Sequence, residues 1–251
     1  MQLKLTLFIF FTSIYIGNAQ FINAEALRNN KDSTGFSGTI GLNFDLVKNT
    51  KNILAFGNTI FVKYKNKKHM AFFINYLSYK KINDDDIINK GTQHLRYNYE
   101  ITNIITWEVF AQLHYNTISK IDKRQLFGSG ARFRLIKTKK YASFLGTVLM
   151  FEHEVIDAKP NITNDDFRLS TYIVFKLNPK PNFSFSSVNF YQPRIDKFND
   201  YRLHSINTLT FNLFKNFNAN MTYAIHYDAF PAGGVPNTQY EFLNGFSYTF
   251  D

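Results

Sequence analysis

The feature that most constrains this chain is a strict alternation of apolar and polar residues, held over runs of ten or more positions and renewed to the C-terminus. From Gly35 to Val47, Phe36, Gly38, Ile40, Leu42, Phe44 and Leu46 occupy one phase; Ser37, Thr39, Gly41, Asn43 and Asp45 occupy the other. A period of two places the two sets on opposite faces of a β-strand. Further on, Leu95, Tyr97 and Tyr99 oppose His94, Arg96, Asn98 and Glu100, and Trp107, Val109, Ala111 and Leu113 oppose Glu108, Phe110, Gln112 and His114. About twelve such segments of about 10 to 14 residues are centred near residues 41, 59, 74, 96, 110, 130, 148, 171, 187, 207, 223 and 245. Met70 to Lys80 and Phe183 to Gln192 alternate poorly, which predicts a bulge in the second.

Strand length separates the architectures. Strands of soluble domains average about 5 to 6 residues. Strands that cross an outer membrane need about 9 to 11, with one face to lipid and one to the lumen. The pattern therefore predicts an all-β fold, an antiparallel transmembrane β-barrel of about twelve strands. Composition excludes the competing classes. Aromatics make up 18% and charged residues 19%, the reverse of a disordered chain. A mean hydropathy of −0.25 leaves no room for a bundle of membrane helices. The absence of cysteine excludes disulfides, thiolate metal sites and thiol nucleophiles.

The connections sort by parity. Short turns are expected at Lys65–Lys68, Thr102–Asn103, Thr138–Lys140, Asn178–Pro181 and Lys215–Asn216. Longer loops are expected at Ile82–Gly91, Ile118–Lys123, Ile156–Asp165, Arg194–Asp200 and Ala229–Thr238, with Lys48–Asn52 a short exception. Bacterial barrels place short turns in the periplasm and long loops outside. The turns are rich in lysine and the loops in aspartate, which solvated loops explain without further function.

The N-terminus supplies an address. Lys4 precedes an apolar run from Leu5 to Ile16, and Gly17-Asn18-Ala19 ends in small residues, the design of a signal peptide cleaved after Ala19. The expected organisation is a signal peptide over 1–19, a periplasmic segment over 20–34 and the barrel over 35–251. An exported chain meets no genomic nucleic acid, so its net charge of +10 points to anionic lipid head groups of the outer membrane. Barrel-assembly machinery is a further expected partner, with Tyr248 and Phe250 of the last strand as the assembly signal. Asp251 after Phe250 departs from the aromatic ending common in such proteins.

The run Arg124-Gln125-Leu126-Phe127-Gly128-Ser129-Gly130-Ala131-Arg132-Phe133-Arg134-Leu135, then Phe144-Leu145-Gly146-Thr147 and Phe151-Glu152-His153-Glu154, carries a resemblance. Over roughly residues 36 to 251 the chain resembles the salt-induced outer-membrane protein family, a domain family without an assigned function. The resemblance implies an outer-membrane barrel and brings no catalytic residues.

Chemistry must then lie on the lumen face. By phase, Arg96, Glu108, His114, Arg132, Arg134, Glu152, Glu154, Arg168 and His226 point inward, and pairing of the two central strands would make an Arg/Glu ladder. Such a set forms either a satisfied interior network or a site for a small charged solute. Enzyme signatures are missing: there is no G-x-S-x-G elbow and no H-E-x-x-H helix. No catalytic residue, metal or cofactor is expected. The functional expectation is a narrow channel or a structural, stress-linked envelope protein. The alternatives are an outer-membrane lipid-modifying hydrolase, for which His94 and Ser170 share the inward phase, and a soluble periplasmic ligand-binding barrel.

Overall fold

A computed structural model describes residues 34–48, 52–83 and 85–250. The expected signal peptide, almost all of the segment before the barrel, and Asp251 lie outside the described residues. Twelve strands follow one another: β1 (Gly35–Lys48), β2 (Asn52–Asn66), β3 (His69–Ile82), β4 (Asp85–Glu100), β5 (Ile105–Asn116), β6 (Ile121–Lys137), β7 (Tyr141–Ile156), β8 (Ile162–Lys180), β9 (Phe183–Pro193), β10 (Tyr201–Phe214), β11 (Phe217–Asp228) and β12 (Thr238–Phe250). Each pairs antiparallel with its neighbours in sequence, and β12 pairs with β1 to close a barrel. Closure removes the edges that lipid would leave unsatisfied.

The barrel is inside out relative to a soluble domain. Phe36, Leu42 and Leu46 are 70%, 67% and 73% exposed, whereas Glu108 and Glu152 are 0% and 1% exposed. Aromatic rings cluster on the outer face near both ends. Tyr201 contacts Tyr191 and Tyr227 at the end of the longer loops, and Phe217 contacts Phe214 and Phe246 at the other. Two such girdles mark where an apolar band meets its interfaces. A cysteine at Leu95 or Leu113 of the membrane-embedded protein should therefore react with a lipid-soluble maleimide and resist a charged one. The reverse pattern at both positions would mean the opposite phase.

Four expectations need correction. The strands run from 11 residues in β9 to 19 in β8, longer than anticipated, because several ladders continue past the apolar band. Residues 82–91 are not a long loop. The β3–β4 ladder persists from Leu77↔Gly91 to Ile82↔Asp85, with Asn83 turning at φ 55° and its side chain accepting from Asn52 N at 3.0 Å. Asn and Asp there read as loop residues, yet a local run of polar residues does not distinguish a loop from an extended ladder. The β9–β10 register is unbroken, so β9 has no central bulge; the irregularity lies between Leu177 and Lys180 at the end of β8. Alternation in β9 fails because Val188, buried at 2% exposure, and half-buried Phe190 are apolar and face inward. Parity of loop length holds for 67–68, 138–140, 181–182 and 215–216 at one end, against 157–161, 194–200 and 229–237 at the other, but not around β5: β6 begins at Ile121, so the longer loop expected at Ile118–Lys123 is the four-residue turn 117–120, no longer than 101–104 at the opposite end.

Four glycines face an aromatic residue directly across a ladder: Gly38↔Phe250, Gly91↔Tyr115, Gly128↔Phe110 and Gly146↔Tyr172. In each case a Cβ on the glycine would run into the opposing ring. The first two pairs lie on the outer face and the last two in the lumen.

Candidate functional site

The lumen holds two layers of charge. The upper layer, toward the longer loops, is built by β6, β7, β8, β10 and β11. Glu152 is reached by three guanidinium groups: Arg202 at 2.6 Å, Arg168 at 3.3 Å and Arg124 at 3.8 Å. Glu154 directly opposes Arg124 in the β6–β7 register and pairs with it, and Arg202 lies 3.4 Å away. Arg202 also bonds Asp228 at 2.8 Å. Arg168, 2% exposed, anchors the 194–200 loop by donating to Gln192 O and Asp200 O, each at 3.2 Å, and to Asp200 Oδ1 at 3.1 Å. Across the lumen, Lys90 on β4 meets Glu241 on β12 at 2.7 Å.

The lower layer centres on Glu108. It accepts from Asn98 Nδ2 at 2.7 Å, from Arg96 Nη1 at 3.4 Å and from the Tyr172 hydroxyl, with Arg132 Nη1 at 3.7 Å. The Arg96 guanidinium lies over the Phe110 and Phe72 rings at 5.1 and 5.8 Å, and Arg132 lies 4.0 Å from the Phe144 centroid. Carboxylates this deep are tolerable only when paired and fully hydrogen-bonded.

The sequence-derived residues separate on this map. Arg96, Glu108, His114, Arg132, Glu152, Glu154, Arg168 and His226 are all buried in the lumen. Arg134 is not: it sits about one-third exposed at the short-turn mouth, 3.2 Å from Glu100. The Arg/Glu ladder is real only at Arg124 and Glu154, because Arg132 opposes Gly146 and Arg134 opposes Phe144. His114 bonds Thr92 at 2.8 Å, and His226 shares a 2.7 Å Nδ1 to Nδ1 bond with His204 in a parallel stack. Ser170 Oγ accepts from Gln192 Nε2 at 2.8 Å, and His94 bonds Gln112 at 2.9 Å. Tyr248 and Phe250 lie at the β12–β1 seam. Among the described residues, no group of three or more His, Asp or Glu side chains is arranged to hold a metal ion.

Two cavities flank the upper layer. A chamber lies between the layers. Its lining interleaves Ile74, Leu126, Val148, Met150 and Val188 and the rings of Phe110 and Phe190 with Arg96, Arg124, Arg202, Glu152 and neutral hydrogen-bonding groups, Leu126 standing opposite Glu152 and Phe110 opposite Arg96 in the ladders. A vestibule lies above, roofed by Phe230, Pro231, Ala232 and Val235 of the 229–237 loop and floored by Arg124, Glu154, His226 and Asp228. Arg124 lines both. The apolar part of the chamber lining was missed in the sequence because inward positions were equated with polar ones.

The family model described as "Protein of unknown function, DUF481" matches residues 30–250. The chain belongs to this family. No curated protein matches the sequence. Among solved structures, the NanC porin superposes with a TM-score of 0.53 at 8% identity, covering 86% of this chain and all of that one. The translocator domain of the autotransporter NalP from Neisseria meningitidis gives 0.48 at 8% identity, covering 90% of this chain and 91% of that one. The family thus has a twelve-stranded barrel of the outer-membrane porin kind in this member, and its role is unassigned.

Proposed function

We propose that the protein is a narrow outer-membrane channel, closed at rest by the upper charge layer, with the long loops outside and the short turns in the periplasm. The observation that carries this reading is Arg124, whose side chain is the common wall of vestibule and chamber. A purely structural barrel has no need of two polar cavities in line, separated by one layer of side chains. Arginine–carboxylate pairs hold that layer, and each can exchange partners without leaving a charge bare, since Glu152 and Glu154 both reach Arg124 and Arg202. Lumen-lining charge is also what sets selectivity in such pores.

Planar-bilayer recordings test the proposal. The wild-type protein should show rare, small openings, and Arg124→Ser should raise mean conductance several-fold while the barrel stays resistant to detergent unless heated. Silence from both proteins, each folded, would leave the structural reading. Release of fatty acid from outer-membrane lipid by the wild type would favour the hydrolase instead.

A further inference from the structure

We propose that the chamber between the two charge layers binds an organic anion with an apolar body, such as an arylalkyl carboxylate. The inference rests on the channel reading and names its solute class. It begins with how charge is divided between the two cavities. The vestibule floor presents Glu154 and Asp228 with Arg124, whereas the chamber presents Arg96, Arg124 and Arg202 with Glu152. The same ion-pair network therefore turns its carboxylates mainly outward and its guanidinium groups mainly inward.

Arg96 is the group best placed to receive a ligand. Its Nε donates to His94 Nε2 at 3.2 Å, and its Nη1 makes a long 3.4 Å contact with Glu108. The aromatic faces of Phe72 and Phe110 hold the guanidinium plane in position. Arg96 lines the chamber, where a carboxylate can accept from its guanidinium in the geometry that suits arginine.

The apolar part of the lining decides the rest of the ligand. Ile74, Leu126, Val148, Met150 and Val188 offer no hydrogen bonds, and Phe110 and Phe190 add ring faces. Against those residues a sugar would leave hydroxyl groups unpaired, which is costly when water is excluded. An organic cation would meet three guanidinium groups and one carboxylate. An apolar body on an anionic head satisfies both parts of that lining together.

The test uses the full-length protein in lipid nanodiscs, with empty nanodiscs as control, and titrates 4-phenylbutyrate, 4-phenylbutyramide and 4-phenylbutylamine by calorimetry. The carboxylate should bind at least tenfold more tightly than the amide, and the amine should not bind. Arg96→Gln should erase the preference for the carboxylate, and Val188→Trp should fill the chamber and abolish binding of both. Equal binding of carboxylate and amide by the wild type, or preference for the amine, overturns the proposal without any variant. So does unchanged carboxylate binding by folded Arg96→Gln. The channel reading fails separately: a barrel that binds 4-phenylbutyrate but never conducts refutes the channel alone, and one that conducts inorganic ions without binding it refutes this inference alone.

Discussion

Chains ending before Tyr248 should be exported but not inserted. The β1–β12 register is Gly38↔Phe250, Thr39↔Thr249 and Ile40↔Tyr248, so loss of residues from 248 onward removes those rungs together. Both strands then present bare backbone to lipid, at several kcal/mol for each unsatisfied group. Phe250→Ala should be milder but still severe. The Phe250 ring covers Gly38 on the outer face, and its removal exposes backbone at the point of closure. The measurement is the fraction of chain in the outer-membrane pellet that migrates faster when unheated. That fraction should fall to near zero for the truncation and several-fold for Phe250→Ala. Normal levels in the Phe250 variant would mean that the last strand closes the barrel without its terminal aromatic.

Glu152→Ala should be the most damaging single change within the lumen. The carboxylate is 1% exposed and reached by Arg124, Arg168 and Arg202, and Ala would take from these three guanidinium groups the one carboxylate they share. Removing one partner of a buried ion pair costs about 3 to 5 kcal/mol, because the charge left behind cannot be rehydrated. Urea unfolding of vesicle-inserted protein, followed by Trp107 fluorescence, should show a midpoint shift of that size. Asp196→Ala is the control: Asp196 pairs with Arg194 at 2.7 Å but lies on the exposed side of the 194–200 loop, and the midpoint should barely move. Equal, small effects from both variants would show that the upper layer is well hydrated.

Strand placement and facing were legible because a period of two is local and each strand repeats it. Arg96, Glu108, Glu152 and Arg168 could be assigned to the lumen from phase alone. Their partners could not. Lys90 and Glu241 stand 151 positions apart, and their contact depends on the cross-section of the closed barrel, which no local pattern encodes. Arg132 and Glu108 meet diagonally, so the register had to be known before the pair could be drawn. Arg134 had the correct phase but lies too near the mouth to be enclosed. The chamber wall escaped notice for a different reason. Val148, Met150 and Val188 break the rule that inward means polar, and in β9 that inversion looked like irregular structure when it was in fact regular strand with an apolar lumen face.

The aromatic residues seated on glycines have a consequence for how the chain finds its alignment. Alternation identifies faces but is blind to a slip of two residues, which leaves every lipid-facing side chain facing lipid. A ring lodged over a bare backbone position is not blind to it: slip β8 by two on β7, and Tyr172 loses its seat at Gly146 and collides with a neighbouring side chain. The same seat lets the Tyr172 hydroxyl reach Glu108 on β5. Misalignment by one notch would thus be invisible to the bilayer yet would unmake the polar interior, so these glycines work as a vernier on which the chemistry of the lumen is set.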